Sequence, residues 1–244
     1  METGRYLRTN TQKFGLFVNE EVPSDCDYNF QPTKISEQID HLLKLFPEIG
    51  NNKIINNNHY LPPETEGWFV IPRWQALASN YSEAVKKVIN KINEIEGGSL
   101  INYLEKDLET KSFYQSTESI EALQKLEINQ PNTNFLVVAA QFGYLHKGQS
   151  PCRVLELIKI NNDNSKVKEF PLGLYAVGMM LLTHFDRLNN RDDLLWIDCL
   201  GDRITTENNS LLYPCIMRNG GRIIVNARAN HASDDYGSAT GFIF

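Results

Sequence analysis

Phe135-Leu136-Val137-Val138-Ala139-Ala140 is an unbroken apolar run that follows Pro131. Its length suits a strand, and the lack of any polar alternation marks a strand buried on both faces. The texture of the chain differs on its two sides. Upstream, Ile35, Ile39, Leu42, Leu43 and Phe46 recur with helical period until Pro47 ends the stripe. Ser82 is placed to cap a second helix with Val85, Val88, Ile89, Ile92 and Ile95 on its buried face, Lys86, Lys87, Lys91 and Glu94 in water, and Gly97 as its stop. Ser116 is placed to cap a third through Ile120, Leu123 and Leu126, with Glu118 near the positive end of its dipole. Two strands interrupt this half: Phe14 to Val18, and Gly67-Trp68-Phe69-Val70-Ile71 between prolines.

Downstream, strands take over. Leu194 to Cys199 reads as a buried strand, and Leu211–Met217 and Arg222–Ala227 flank Arg218-Asn219-Gly220-Gly221 as the arms of a hairpin. One helix is expected from Leu172 to Leu188, where Gly173 and Gly178 allow close approach of another backbone, although Leu172 to Tyr175 could still be extended. The tail Gly241-Phe242-Ile243-Phe244 is too apolar to hang loose. Helices early, strands late and no regular βαβ alternation predict an α+β fold with a mixed or antiparallel sheet, in a single domain over 1–244. The Asn-rich stretch 50–58 is its weak internal boundary.

Composition narrows the function classes. The chain has 244 residues, 41% hydrophobic and 22% charged, as expected of a globular domain with a real core. With 24 basic against 30 acidic side chains its net charge of −6 disfavours nucleic acid and leaves a basic protein as the fitting macromolecular partner. No apolar run approaches the roughly 20 residues of a membrane span, and the start lacks a signal-peptide pattern. Cys26, Cys152, Cys199 and Cys215 form no CxxC pair, so reduced thiols in a cytoplasmic, soluble protein are expected.

Two constellations could carry chemistry. Gly143-Tyr144-Leu145-His146-Lys147-Gly148-Gln149-Ser150 follows the buried run and has the glycine and serine spacing of a phosphate-binding loop. The residue after Gly148 is the neutral Gln149 where such loops need lysine, and Lys147 comes too early; Gly143, Lys147, Gly148 and Ser150 are what remains to hold a phosphate. Later in the chain, His184, Asp186, Asp198, Asp202, His231, Asp234 and Asp235 supply the residue types of acid–base chemistry and divalent-metal ligation, without the HExxH spacing. Asp198 ends a buried strand and therefore needs a cationic or hydrogen-bonding partner, with Arg203, Arg222, His184, His231 or an ion as candidates. Cys199 reads as a small apolar filler and Ser238 lacks the GxSxG elbow, while the aromatics Tyr60, Trp68, Phe69, Trp74 and Tyr81 could form a peptide or base-stacking surface but read first as a core corner.

These residues single out no activity but order the readings. First stands an enzyme of hydrolase or transferase type with catalytic Asp198, Asp202, His184 and His231, open to a divalent metal. Second is a non-catalytic acidic module that binds a basic partner, as an accessory or toxin-neutralising protein does. Third is a phosphate or nucleotide binder using the 143–150 loop.

Overall fold

The computed structural model describes residues 20–22, 30–50, 60–188 and 196–244. The strand expected at Phe14 to Val18, most of the Asn-rich stretch, Cys26 and Leu194-Leu195 lie outside the described residues.

In chain order the elements are α1 (Ile35–Leu45), β1 (Gly67–Pro72), α2 (Tyr81–Ile95), β2 (Ile101–Asn102), β3 (Phe113–Gln115), α3 (Thr117–Asn129), β4 (Phe135–Gln141) and α4 (Pro151–Asn164). There follow β5 (Lys168–Pro171), α5 (Leu174–Thr183), β6 (Trp196–Asp198), β7 (Asp202–Thr205), β8 (Leu211–Asn219), β9 (Arg222–Arg228), β10 (Tyr236–Ser238) and β11 (Thr240–Ile243). The fold is α+β, with helices concentrated early and strands late, in one compact unit.

The apolar run is β4, buried at every position, and it sits inside an antiparallel sheet of order β1-β4-β11-β5. The second sheet is built on the long β8, which pairs with β9 along one side and with β6 and β7 on the other. β10 and β3 extend it at its ends, and β2 joins β9. The hairpin turn is Gly220-Gly221, both at positive φ (58° and 79°), a backbone that glycine adopts without a Cβ penalty. Among the described residues no helix is long and apolar enough to cross a membrane.

α5 is the centre of the core: Leu174 to Leu182 are buried without exception, so the helix has no wet face. It packs on α2, β1 and α1, and Gly178 makes room for Val88, whose Cγ1 would lie 2.4 Å from an added Cβ. The helix is shorter than the expected Leu172–Leu188, because Pro171-Leu172 still belong to the extended chain leaving β5, and Phe185–Leu188 form a separate 3₁₀ turn.

Three local expectations change. Asn80 rather than Ser82 caps α2: its side chain accepts from the Glu83 backbone N–H at 2.9 Å, which puts Ser82 inside the first turn. Val85, Val88, Ile89 and Ile92 are buried as the period requires, whereas Ile95 at the helix end is exposed. Ser116 does cap α3, yet Ile120 is exposed, Leu123 is only partly buried against the main core, and Leu126 alone of the expected stripe is fully inside. Trp68 and Trp74 are half-buried, Tyr60 is exposed, and only Phe69 of the aromatic corner is sealed.

The tail adds β11 between β4 and β5, with Phe242 buried and Phe244 half-exposed against Trp68. Phe242→Ala is expected to cost roughly 3–5 kcal/mol in urea unfolding, and Phe244→Ala less than about 1.5 kcal/mol. Equal losses at the two positions would contradict this placement of the tail.

Candidate functional site

Asp198 is sealed at the end of β6. Arg228 Nε donates to its Oδ1 at 2.7 Å and Arg228 Nη2 to its Oδ2 at 2.5 Å, a two-pronged pair with both side chains buried. Arg228 also donates to the His231 carbonyl, and its guanidinium lies 3.9 Å from the centre of the Tyr236 ring. Burial pushes the Asp198 carboxyl pKa up against the pull of Arg228 and the Ser238 hydroxyl. The partner is thus a cation, as the buried strand end required, but it is Arg228 rather than Arg203, Arg222 or a histidine. The register explains why: Asp198 faces Cys215 on β8, and the hairpin sets Arg228 opposite Tyr213, two residues further along.

His184 stands elsewhere, at the C-terminus of α5, packed edge-on against Phe30 and Phe69. The Thr33 backbone N–H donates to its Nε2 at 3.0 Å, so that nitrogen is unprotonated and Nδ1 carries the hydrogen facing the Met180 carbonyl at 3.1 Å. Burial lowers its pKa. The ring is a neutral tie between the segment before α1 and the end of α5. His231, Asp234, Asp235 and Asp186 are exposed. Asp198 and the His231 segment therefore share one place in the fold, and His184 is held at another.

Asp202 is different. It begins β7 fully buried, its Oδ2 accepts the Leu174 backbone N–H at 2.6 Å, and the Tyr81 hydroxyl donates to both of its oxygens at 2.9 and 3.1 Å. It therefore sits on the N-terminus of α5, where the dipole favours a carboxylate. Burial still dominates and lifts the carboxyl to about 7, against the opposing help of Leu174, Tyr81 and Arg203. Tyr81 in turn receives the Tyr175 backbone N–H, and burial together with the Asp202 charge pushes its phenol well above the ordinary range. Gly173 is the hinge of this contact: an added Cβ would stand 2.6 Å from both Asp202 Oδ1 and the Tyr81 hydroxyl oxygen.

Tyr81 and Gly173 also line a cavity of about 200 Å³. Its walls come from the end of β1 and the following turn (Ile71, Arg73, Trp74, Gln75), from α3 (Ile120, Leu123, Gln124, Glu127), and from Gln115, Leu136, Tyr175 and Ala176. Ile120 and Leu123 of the α3 stripe line this cavity, Leu123 while also packing against the core. Trp74 and Tyr81 meet edge to face at 6.2 Å. Arg73 is held by the carbonyls of Glu127 and Gln130 at 3.2 and 2.8 Å and faces the Glu127 carboxylate at 3.5 Å. Of these residues the sequence had marked Asp202, Trp74 and Tyr81; Gly173 it read for packing alone. The polar run Arg73-Trp74-Gln75 directly after a buried strand was the available signal.

The 143–150 loop carries a 3₁₀ turn at Tyr144–His146 and leads to Ser150, the cap of α4. Its amides are engaged: Gly148 N–H donates to Tyr236, Ser150 N–H to Glu20, and the next amide, Cys152 N–H, to Asn230. Ser150 Oγ contacts the Glu20 carboxylate, and Arg153 Nε donates to Glu21 at 2.6 Å. The chain's own carboxylates thus occupy the α4 N-terminus. Lys147 is partly buried. Beneath the loop, His146 Nε2 bonds Glu169 Oε1 at 2.7 Å, an oxygen that also accepts from Thr240 Oγ1 at 2.6 Å. Burial works against charge on His146, but Glu169 outweighs it and the imidazole pKa rises. Sequence reading missed this pair because Glu169 lies in a short strand with no pattern.

Comparison with protein-family models, curated proteins and solved structures finds no match. Among the described residues no group of three or more His, Cys, Asp or Glu side chains is gathered to hold a metal ion.

Two substitutions separate the carboxylates. Asp198→Asn leaves Arg228 buried without its counter-charge and is expected to destabilise the protein by about 3–5 kcal/mol. Asp202 is tested by pH instead. Its carboxyl holds a proton more tightly folded than unfolded, so its contribution to stability is complete below about pH 4 and is lost as pH rises to about 7. At roughly 1.4 kcal/mol per tenfold change in proton affinity, the loss is at most about 4 kcal/mol. Asp202→Asn removes that titration, so urea midpoints measured at pH 5 and pH 8 should move in favour of the variant at pH 8. A constant difference between the two proteins would show that Asp202 ionises normally.

Proposed function

We propose that the protein is an enzyme of acid–base type whose ligand sits in the cavity over Trp74 and Tyr175, with Tyr81 as the group that meets it and Asp202 as the carboxylate behind. One observation carries this reading: a cavity wall contains a tyrosine whose hydroxyl rests on a fully buried carboxylate. Asp198 and His184 leave the catalytic set, since the first is neutralised by Arg228 and the second is spent on backbone groups. No step uses a metal or a bound phosphate.

The pair can work in two directions. With Asp202 ionised, the Tyr81 hydrogen points at the carboxylate, and the phenolic oxygen is left to accept a proton from a ligand O–H or N–H while its own passes to Asp202. With Asp202 protonated, the carboxyl can donate to the Tyr81 oxygen, freeing the phenol hydrogen for the ligand. A carboxyl near 7 populates both forms at neutral pH, as general acid–base catalysis requires. Such a relay suits activation of a hydroxyl or water nucleophile, which keeps the reaction within the hydrolase and transferase classes. Binding without turnover is the second reading, favoured by the structural employment of His184 and Asp198.

A screen of single-ring compounds by ligand-observed NMR tests the site. Binders should be displaced by one another and excluded by Leu123→Trp, which fills the cavity from α3. Calorimetry at pH 7 in buffers of different ionisation enthalpy should reveal proton exchange on binding that is lost in Tyr81→Phe. Binders indifferent to Leu123→Trp would overturn the site, and proton exchange unchanged by Tyr81→Phe would overturn the relay.

A further inference from the structure

We infer that the cavity takes an uncharged planar heterocycle of about one ring whose edge carries amide-like donors and acceptors. This rests on the cavity being the ligand site, and it adds what the ligand is made of.

Size comes first. A cavity of about 150 Å³ holds benzene, so the 200 Å³ here has room for one ring with a small substituent, with Gln75 and Gln124 exposed at its rim. Shape follows from the lining. Trp74, Tyr81 and Tyr175 give the wall three aromatic rings, and Ile71, Leu136, Leu123 and Ala176 supply flat apolar contact. Such a slot favours a planar molecule over a branched one of equal volume.

Charge and polarity come from the remaining wall. The lining has one cation and one anion, Arg73 and Glu127, and they face each other at 3.5 Å. Arg73 further spends its Nη2 on two carbonyls, so neither sign of ligand meets an uncompensated counter-charge. The unspent polarity belongs to Arg73 Nε and the Tyr175 hydroxyl, which are buried with no hydrogen-bond partner among the described residues, and to amides. Gln75 and Gln124 are exposed on the lining, and Gln115 makes only a 3.4 Å contact with Ser119 Oγ. An amide offers a donor and an acceptor side by side, the complement of a lactam or carboxamide edge.

The test uses four probes with the intact chain: nicotinamide, uracil, nicotinate and toluene. Nicotinamide and nicotinate share one ring and differ in a neutral amide against a charge. Nicotinamide and uracil should bind, and nicotinate should bind at least about tenfold more weakly. Replacing Gln75 and Gln124 together by Leu should weaken nicotinamide roughly five- to tenfold while leaving toluene within about twofold. Both positions are exposed, so folding should survive, and an unchanged melting temperature checks this. If toluene or nicotinate binds as well as nicotinamide and Leu123→Trp excludes all of them, the inference fails and the cavity stands. If no probe binds, or binding persists in Leu123→Trp, the cavity reading fails as well.

Discussion

The architecture depends on one close approach, in which Gly201 lies against the junction between β5 and α5. An added Cβ at Gly201 would stand 2.3 Å from Gly173 N and 2.8 Å from the Pro171 carbonyl oxygen. At that distance the two chains exchange backbone bonds: Gly201 N–H donates to Leu172, and Gly201 in turn accepts from Ser116, the cap of α3. The second sheet, the core helix and the cavity-lining helix are therefore fixed relative to one another at a single residue without a side chain. Asp202 follows immediately, which is why its carboxylate arrives at the first turn of α5 and at the first residue of α2.

That junction also explains why two buried aspartates on neighbouring strands have opposite characters. Asp198 looks along the sheet toward β9, where an arginine can lie alongside it, and a full counter-charge meets both oxygens. Asp202 looks toward a helix N-terminus and a phenol, which offer partial charges and hydrogen bonds, and Arg203 acts on it through space without bonding its carboxylate. Burial is comparable for both. A carboxylate paired with a guanidinium is committed to one ionisation state by the cost of leaving the arginine alone. One supported by dipoles can take up a proton without stranding a charge, so a titrating group belongs at Asp202.

How much of this was legible follows from the length of the signals. Helix α2 and strand β4 carry enough residues for periodicity, or its absence, to speak, and the Asn219-Gly220 signal located the β8–β9 hairpin, whose turn is Gly220-Gly221. β2, β3 and β7 span two to four residues each, too few to show a period. α4 was missed because its apolar residues do not form one stripe: Val154 and Ile158 are buried while Ile160 is exposed. Asp198 could be read as needing a cation, but naming Arg228 required knowing that β6 lies beside β8. The pairing of Tyr81 with Asp202 was out of reach for the same reason, since 121 residues separate them and only the Gly201 junction brings them together.

The cavity itself is a consequence of how α3 is anchored. Its first turn is fixed by Ser116 to Gly201, and its far end is tied to β1 and β4: Arg73 reaches Glu127 and Gln130, and the Gln130 side chain bonds both backbone groups of Val137 at 2.8 and 2.9 Å. Two clamps at opposite ends hold the helix at a set distance from the sheet. Between them, Ile120 and Leu123 on one side and Gly173 and Ala176 at the start of α5 line the gap. The gap is partly open, with Gln75, Ile120 and Gln124 exposed along it. Here the hydrogen bonds at both ends of α3 prevent collapse. Tyr81 gives this open space one wall, while the room that Gly173 leaves at the start of α5 is filled by the Asp202 carboxylate and the Tyr81 hydroxyl.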